Sequence, residues 1–268
     1  IPPVTTRGQI VNQGKKFTIS IEDPNKCSRY VGIVMENIQV SSSPTWLKNR
    51  LNAVGLRSIN NIVDVTNYVM YEWGQPLHAF DADNLKGSSI HVKSFDDTQE
   101  FTTLDGIIRE VPRGSLFICD DEQAVAIAGI MGGENSEVSL STTTIMIESA
   151  YFDPSTIRKC SKQLSIQTDA SYRFERGIDT NNQLIAAIRA ANLIQGIIPN
   201  ALITETIDLH PAPKKTLELS LRVSRVHQIL GVKIDEEWII KQLNRLEIIS
   251  KRSSSGTIEC QIPTFRPD

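Results

Sequence analysis

The sequence predicts an α+β protein in which a mixed or antiparallel sheet with helices is followed by a small winged-helix-like domain. Three observations point there. From residue 88 onward short alternating segments follow one another, "SIHVKSF", "EFTTLDGIIREV" and "SLFICDDEQAVAIAGIMGG", separated by turns rather than by regular crossover helices. Helical spacing is confined to a few segments on either side of that run. The stretch "HPAPKK" at 210–215 combines two prolines with two lysines where the charge changes sign. Residues 214–268 hold ten Lys or Arg against seven Asp or Glu, so the chain's net charge of −3 leaves −6 on the rest. These features divide the chain into a lead-in at 1–28, a main domain at 29–209, a linker at 210–215 and a second domain at 216–268.

In chain order, "KKFTISIED" and "SRYVGIVMENIQV" alternate as strands do. "SSPTWLKNRLNAVGLR" reads as a helix with Ser43 as cap, Pro44 in the first turn and Gly55 as the stop. In "SINNIVDVTNYVMYEWGQP", Ile62, Val65, Val69 and Trp73 keep helical spacing although the Val and Ile content lowers helix propensity; Gly74 and Pro76 end the segment in a turn. Its other face carries Asn60, Asn61, Asp64 and Asn67, an amide-rich surface. "TTTIMIESAYFDP" is an apolar strand and "STIRKCSKQL" has helical spacing. "DTNNQLIAAIRAANLIQG" is the clearest helix, capped at Asp179 or Thr180 and apolar at Leu184, Ile188, Ala191 and Ile194. The tail reads as a strand "LELSLRV", two short helices capped by Ser224 and Asp235, and a hairpin "EIISKRSSSGTIECQI". That order is used both for nucleic acid and for protein contacts; the basic tail suits nucleic-acid contact, but a Lys-rich solvated helix face is the simpler reading.

The composition, 40% hydrophobic and 22% charged, is that of a soluble globular protein. No apolar run approaches the ~20 residues that span a bilayer, and "IPPVTTRGQI" lacks the layout of a signal peptide. Without an initiator Met, the chain is expected to be a fragment or a processed form. Cys27, Cys119, Cys160 and Cys260 lie far apart, a pattern that favours a reducing cytosol over a zinc site or a disulfide framework.

Four places offer chemistry. Arg57, Asn67 and His78 are spaced so that a helix and the turn after it aim all three at one cleft; a structural histidine is the competing reading. In "AIAGIMGGENS", Gly129, Gly132 and Gly133 permit close backbone approach to a ligand, or a tight hairpin, but the segment lacks a phosphate-loop layout. Glu148 is a lone carboxylate in an apolar strand. Alternation sets it with Met146 opposite Ile145 and Ile147, so it either faces solvent at a sheet edge or is held for a purpose. "SIQTDASYRFERGID" concentrates Thr168, Asp169, Ala170, Arg173, Glu175 and Arg176, which surface ion pairing also explains.

Together "INNIVDVTNYVMYEWGQPLHAFD", "AIAGIMGGENS", "IMIESAYFDP", "QTDASYRFERGID" and the closing "PTFRPD" resemble the β subunit of bacterial phenylalanyl-tRNA synthetase, from about Ser28 to Asp268. The resemblance implies a B3/B4 editing module followed by a B5 module, with the domains that precede and follow them in that family lying outside this sequence. It implies hydrolysis of tyrosine misattached to tRNA(Phe), in support of ATP-dependent attachment of phenylalanine by the α subunit of a cytoplasmic α2β2 heterotetramer. A silent scaffold or tRNA-binding piece of that assembly is the alternative. Carried over position by position, Arg57, Asn67 and His78 act on the ester and the terminal adenosine, while Gly132, Glu148, Thr168 and Ala170 form the tyrosine pocket. No metal or other cofactor is expected at the editing site, and Mg2+ and ATP belong to the full enzyme. Asp268 matches the first of a family set of magnesium carboxylates whose other members lie beyond this sequence, and one carboxylate is too few to hold the ion. The physical logic is that of double-sieve editing. A pocket shaped for phenylalanine cannot strongly reject an analogue that adds a hydroxyl, so a second site must read that hydroxyl. Glu148 is expected to accept a hydrogen bond from the phenol and to be left buried and unpaired by phenylalanine.

Overall fold

The computed structural model describes residues 14–213, 216–254 and 256–266. Contacts divide the chain after Pro213 into two units. The first begins with strands β1 (Thr18–Ile21) and β2 (Cys27–Glu36), followed by helices α1 (Thr45–Ala53) and α2 (Asn61–Trp73). Seven strands come next: β3 (Leu77–Asp81), β4 (Ser89–Ser94), β5 (Gln99–Thr102), β6 (Ile108–Val111), β7 (Leu116–Cys119), β8 (Ala124–Ile127) and β9 (Met131–Gly132). The unit closes with β10 (Ile145–Phe152), α3 (Pro154–Leu164), α4 (Asp169–Phe174), α5 (Gln183–Ile197) and β11 (Leu202–Leu209).

Two sheets organise this unit. The first is fully antiparallel in the order β11-β2-β10-β3, and the second runs β1-β4-β7-β8-β9 with β1 parallel to β4. One face of the first sheet, with Val31, Ile33, Ile145 and Ile147, packs on α1, α2 and α5. Its other face, with Tyr30, Val34, Met146 and Ala150, packs on the second sheet. Every residue of β10 is therefore buried. Alternation correctly separates Glu148 from Ile145 and Ile147, but neither face of the strand meets bulk solvent, and Glu148 is only 7% exposed.

Several local expectations are revised. Pro44, not Ser43, occupies the N-cap of α1, with no side-chain cap. Ser43 Oγ instead donates to Asp64 Oδ2 at 2.6 Å. The amide-rich side of α2 is a scaffold rather than a surface. Asn60 caps the helix, accepting from Ile62 N and Val63 N, and Asn61 accepts from Ser41 N and donates to Gln39 O. Gly74 stops α2 in the left-handed region, at φ 68°. The turn expected after it closes directly into β3, the free edge of the first sheet. Helix α5 starts after Asn182 rather than at Asp179 or Thr180. Its buried side is Ala186, Ala187, Ala190, Ala191 and Ile194, because small side chains let the helix lie close to the sheet; Leu184 and Ile188 pack from the flank.

The second unit contains β12 (Leu217–Arg222), α6 (Val223–Leu230), α7 (Glu236–Arg245), β13 (Ile249–Ser254) and β14 (Thr257–Ile262), with the sheet order β12-β14-β13. This is the expected order of strand, two helices and hairpin. Asp235 caps α7, accepting from Glu237 N at 2.9 Å and Trp238 N at 3.2 Å. Ser224 lies inside α6, whose N-cap is Arg222. Val223, Ile239, Ile258 and Cys260 form the small core. Among the described residues no helix is long and apolar enough to cross a membrane.

Candidate active site

The site is built where the edge strand β3 meets β10. Glu148 and His78 are direct antiparallel partners, and Glu148 is also paired with Gly32 on β2. Partners in register share a face, with Cβ atoms ~5 Å apart. Tyr30, two residues from Gly32 on β2, points to the same face. Its hydroxyl donates to Glu148 Oε2 at 2.7 Å.

From the facing sheet, β9 brings Gly132 against the imidazole. A Cβ built on Gly132 would lie 2.7 Å from His78 Cε1 and 2.8 Å from Nε2, so this position admits no side chain unless the ring moves. Gly132 thus makes room for the histidine. His78 packs edge-on to Phe80, with ring centroids 4.5 Å apart. Its Nε2 is enclosed with no hydrogen-bond partner among the described residues.

Helix α4 closes the third side. Thr168 is its N-cap: Oγ1 accepts from Ser171 N at 3.1 Å and donates to Ile130 O at 3.0 Å. The threonine hydroxyl therefore ties α4 to the loop between β8 and β9, which holds the next residues, Asp169 and Ala170, against the cavity. Across the opening, Tyr71 of α2 donates to Asp169 Oδ1 at 3.1 Å.

These elements enclose an inner cavity of about 70 Å3 lined in part by His78, Gly132, Glu148, Ala170 and Phe174. An outer cleft of about 380 Å3 shares His78, Gly132 and Ala170 with it and adds Asn67 and Thr168. Six of the expected residues are thus brought together. Arg57 is not among the lining residues; it lies exposed on the loop between α1 and α2, two residues before Ile59, which lines the cleft. Asp268 lies outside the described residues. Tyr30 escaped sequence reasoning. The available signal was its place in an alternating strand with no obvious partner for the hydroxyl, but the partner is 118 residues away.

Burial sets the electrostatics. Desolvation pushes the Glu148 carboxyl up to about 7, and the Tyr30 hydrogen bond acts against that rise. The His78 imidazole is pulled down to about 4 by the same desolvation. Near neutral pH the site thus holds an uncharged imidazole beside a carboxyl close to its midpoint. Among the described residues no group of three or more His, Cys, Asp or Glu is placed to hold a metal ion.

This arrangement, a buried acid and a neutral histidine on one sheet face beside a cavity and a cleft, sits within residues 26–199, which match the family model of the B3/4 domain. Residues 219–268 match that of the tRNA synthetase B5 domain. The class is thus that of an aminoacyl-tRNA synthetase module. The chain is 45% identical over 254 residues to the phenylalanine–tRNA ligase beta subunit of Salinibacter ruber, covering 95% of this chain and 30% of that protein. It is 44% identical over 265 residues to the corresponding subunit of Geobacter sulfurreducens, covering 99% of this chain and 33% of that protein. A solved N-terminal fragment of the phenylalanyl-tRNA synthetase beta subunit from Pyrococcus horikoshii aligns over 98% of this chain and 72% of its own, at 12% identity and a TM-score of 0.46. The chain belongs to the phenylalanine–tRNA ligase β-subunit family, with its B3/4 and B5 domains, and spans about a third of the length of the relatives it matches.

Proposed function

We propose that the first unit is an aminoacyl-tRNA deacylase that removes tyrosine from mischarged tRNA(Phe). The observation that carries this reading is the placement of Glu148. It is a buried carboxylate at the wall of an apolar cavity, and Tyr30 is its only hydrogen-bond partner among the described residues. A carboxylate offers about four acceptor sites. Glu148 therefore has capacity left for a second phenol, and a bound tyrosine side chain supplies one. The resident Tyr30 hydroxyl softens the penalty on phenylalanine that the sequence suggests, because Glu148 never stands wholly unpaired. Discrimination then rests on one acceptor rather than on a naked charge.

Hydrolysis itself needs little more than position. Aminoacyl esters are activated, so a held water suffices without metal or covalent nucleophile. Water adds to the ester carbonyl, the bond to the ribose oxygen breaks, and a proton passes to that oxygen. A histidine titrating near 4 is poorly matched to act as general base at neutral pH. His78, which lines both the cavity and the cleft, accordingly orients the water, and Asn67 and Arg57 bind ribose and phosphate of the terminal adenosine. ATP and Mg2+ serve aminoacylation by the whole enzyme, a cytoplasmic assembly with an α subunit, and take no part in this step.

Deacylation of Tyr-tRNA(Phe) tests the reading, with the chain and the full subunit each compared with their Glu148→Ala and His78→Ala variants. Hydrolysis well above both variants is expected. If neither protein exceeds its variants, the unit is a scaffold or tRNA-binding piece instead.

A further inference from the structure

We propose that Tyr30 is a positioning residue for substrate selection: its hydroxyl anchors one oxygen of Glu148 so that the other is presented to the inner cavity as the acceptor for a phenol. This rests on the reading above and adds to it a residue at the back of the site that lines neither cavity.

The geometry is specific. Tyr30 is fully buried and its ring is part of the core between the two sheets, so the hydroxyl cannot swing away. It reaches Glu148 Oε2 at 2.7 Å, within the range of a charge-assisted bond. A glutamate on an apolar wall with no donor has three free torsions and no reason to keep one orientation. With Oε2 held, the carboxyl plane is fixed by a group that the substrate does not displace. The register reinforces this: Gly32, the β2 partner of Glu148, has no side chain to compete for the carboxyl, and His78, its β3 partner, is kept in place by Gly132 and Phe80.

A second consequence follows from the same bond. A donor to the charged form favours ionisation, so Tyr30 keeps part of the Glu148 population as carboxylate at neutral pH against the pull of burial. The carboxylate is the better acceptor for a phenol. The titratable groups facing Glu148 are Tyr30 and Cys27 on β2, both with pKa raised by burial and by Glu148 itself, and the neutral His78 on β3. Asp169 on α4 and Glu137 line only the outer cleft. Tyrosine binding is therefore expected to strengthen with rising pH and to level off above about 7, the value to which Glu148 is raised.

The test is equilibrium binding of L-tyrosine and L-phenylalanine to the whole chain across pH 5.5–8.5, for the wild type, Tyr30→Phe, Glu148→Gln and the double variant. Tyr30→Phe keeps the ring in the core. We expect it to reduce the preference for tyrosine over phenylalanine about tenfold and to move the midpoint of the pH profile upward by about one unit. In the Glu148→Gln background the same change should leave the preference unaltered and the profile flat. A wild type with no preference for tyrosine overturns the proposal. So does a Tyr30→Phe chain with unchanged preference and midpoint, or an equal effect of Tyr30→Phe with and without Glu148. The deacylase reading is judged separately by tRNA hydrolysis, so a chain that deacylates Tyr-tRNA(Phe) normally with Tyr30→Phe would sink the role of Tyr30 alone.

Discussion

Two buried carboxylates, Asp64 and Glu148, mark two regions of the same unit that differ in what surrounds the charge. Asp64 is fully buried at the corner between α1 and α2 and accepts from Ser43 Oγ at 2.6 Å, from Ile59 N at 2.8 Å and from Ser58 Oγ. Glu148, almost as deeply buried, has one donor among the described residues and a cavity beside it. A carboxylate with three donors from the loops before α1 and α2 fixes architecture: it closes the segment that leads into α2. A carboxylate with one donor is costly to keep in an apolar wall, and on the proposed reading a ligand in the cavity beside it completes its coordination. Burial alone does not separate a structural acid from a working one. The count of donors and the presence of open space do.

The largest expected effect sharpens this contrast through stability. Asp64→Ala strands three donors and should lower the unfolding free energy by about 2–4 kcal/mol, read from urea denaturation at pH 8. Glu148→Gln keeps an acceptor for Tyr30 and removes a buried charge, so its stability at the same pH should stay within about 1 kcal/mol of wild type or rise. A reversed order would break the distinction.

A smaller effect concerns pH. The folded-state pKa of Glu148, about 7, is above its ordinary value, so its contribution to stability is fully present below about 4.5 and is lost as pH rises through 7. His78 has the opposite sign: its folded pKa, about 4, is depressed, so its contribution is present above about 6.5 and is lost as pH falls through 4. The two slopes oppose each other across the window they share. Glu148→Gln should remove the loss on the alkaline side, a change of up to about 3 kcal/mol between pH 4.5 and 8, followed as a pH series of urea midpoints. Parallel profiles for the two proteins would mean that Glu148 is not desolvated as described.

Much of this was legible in the sequence, for local reasons. Helix α2 carries its apolar spacing and its Gly74 stop, α7 its Asp235 cap, and β10 its alternation, all within a few residues. The motif order of the family then brought Asn67, His78, Gly132, Glu148, Thr168 and Ala170 forward, and these six line the two connected spaces. What was missed is long-range. Strand β3 begins one residue after a proline and holds a histidine and an aspartate, so it reads as a turn until β10 pairs with it. The eight-residue strand β11 alternates only in its second half, beyond a register shift at Ile203–Glu205, and α4 is too short to show a helical period. Solvent exposure was one reading of Glu148 because alternation tells which residues share a face, not whether the face is covered; covering both faces of one sheet is a property of topology. The bond between Tyr30 and Glu148 has no local signature.

The most direct measurement is a crystal structure of the chain with tyrosine bound. The phenol oxygen is expected within ~2.5–3.0 Å of the Glu148 carboxylate, with Tyr30 still donating to Oε2 and the α-carboxyl directed toward Asn67 and the outer cleft. A phenol ring turned away from Glu148, or tyrosine bound outside the space between His78, Gly132 and Ala170, would contradict that expectation.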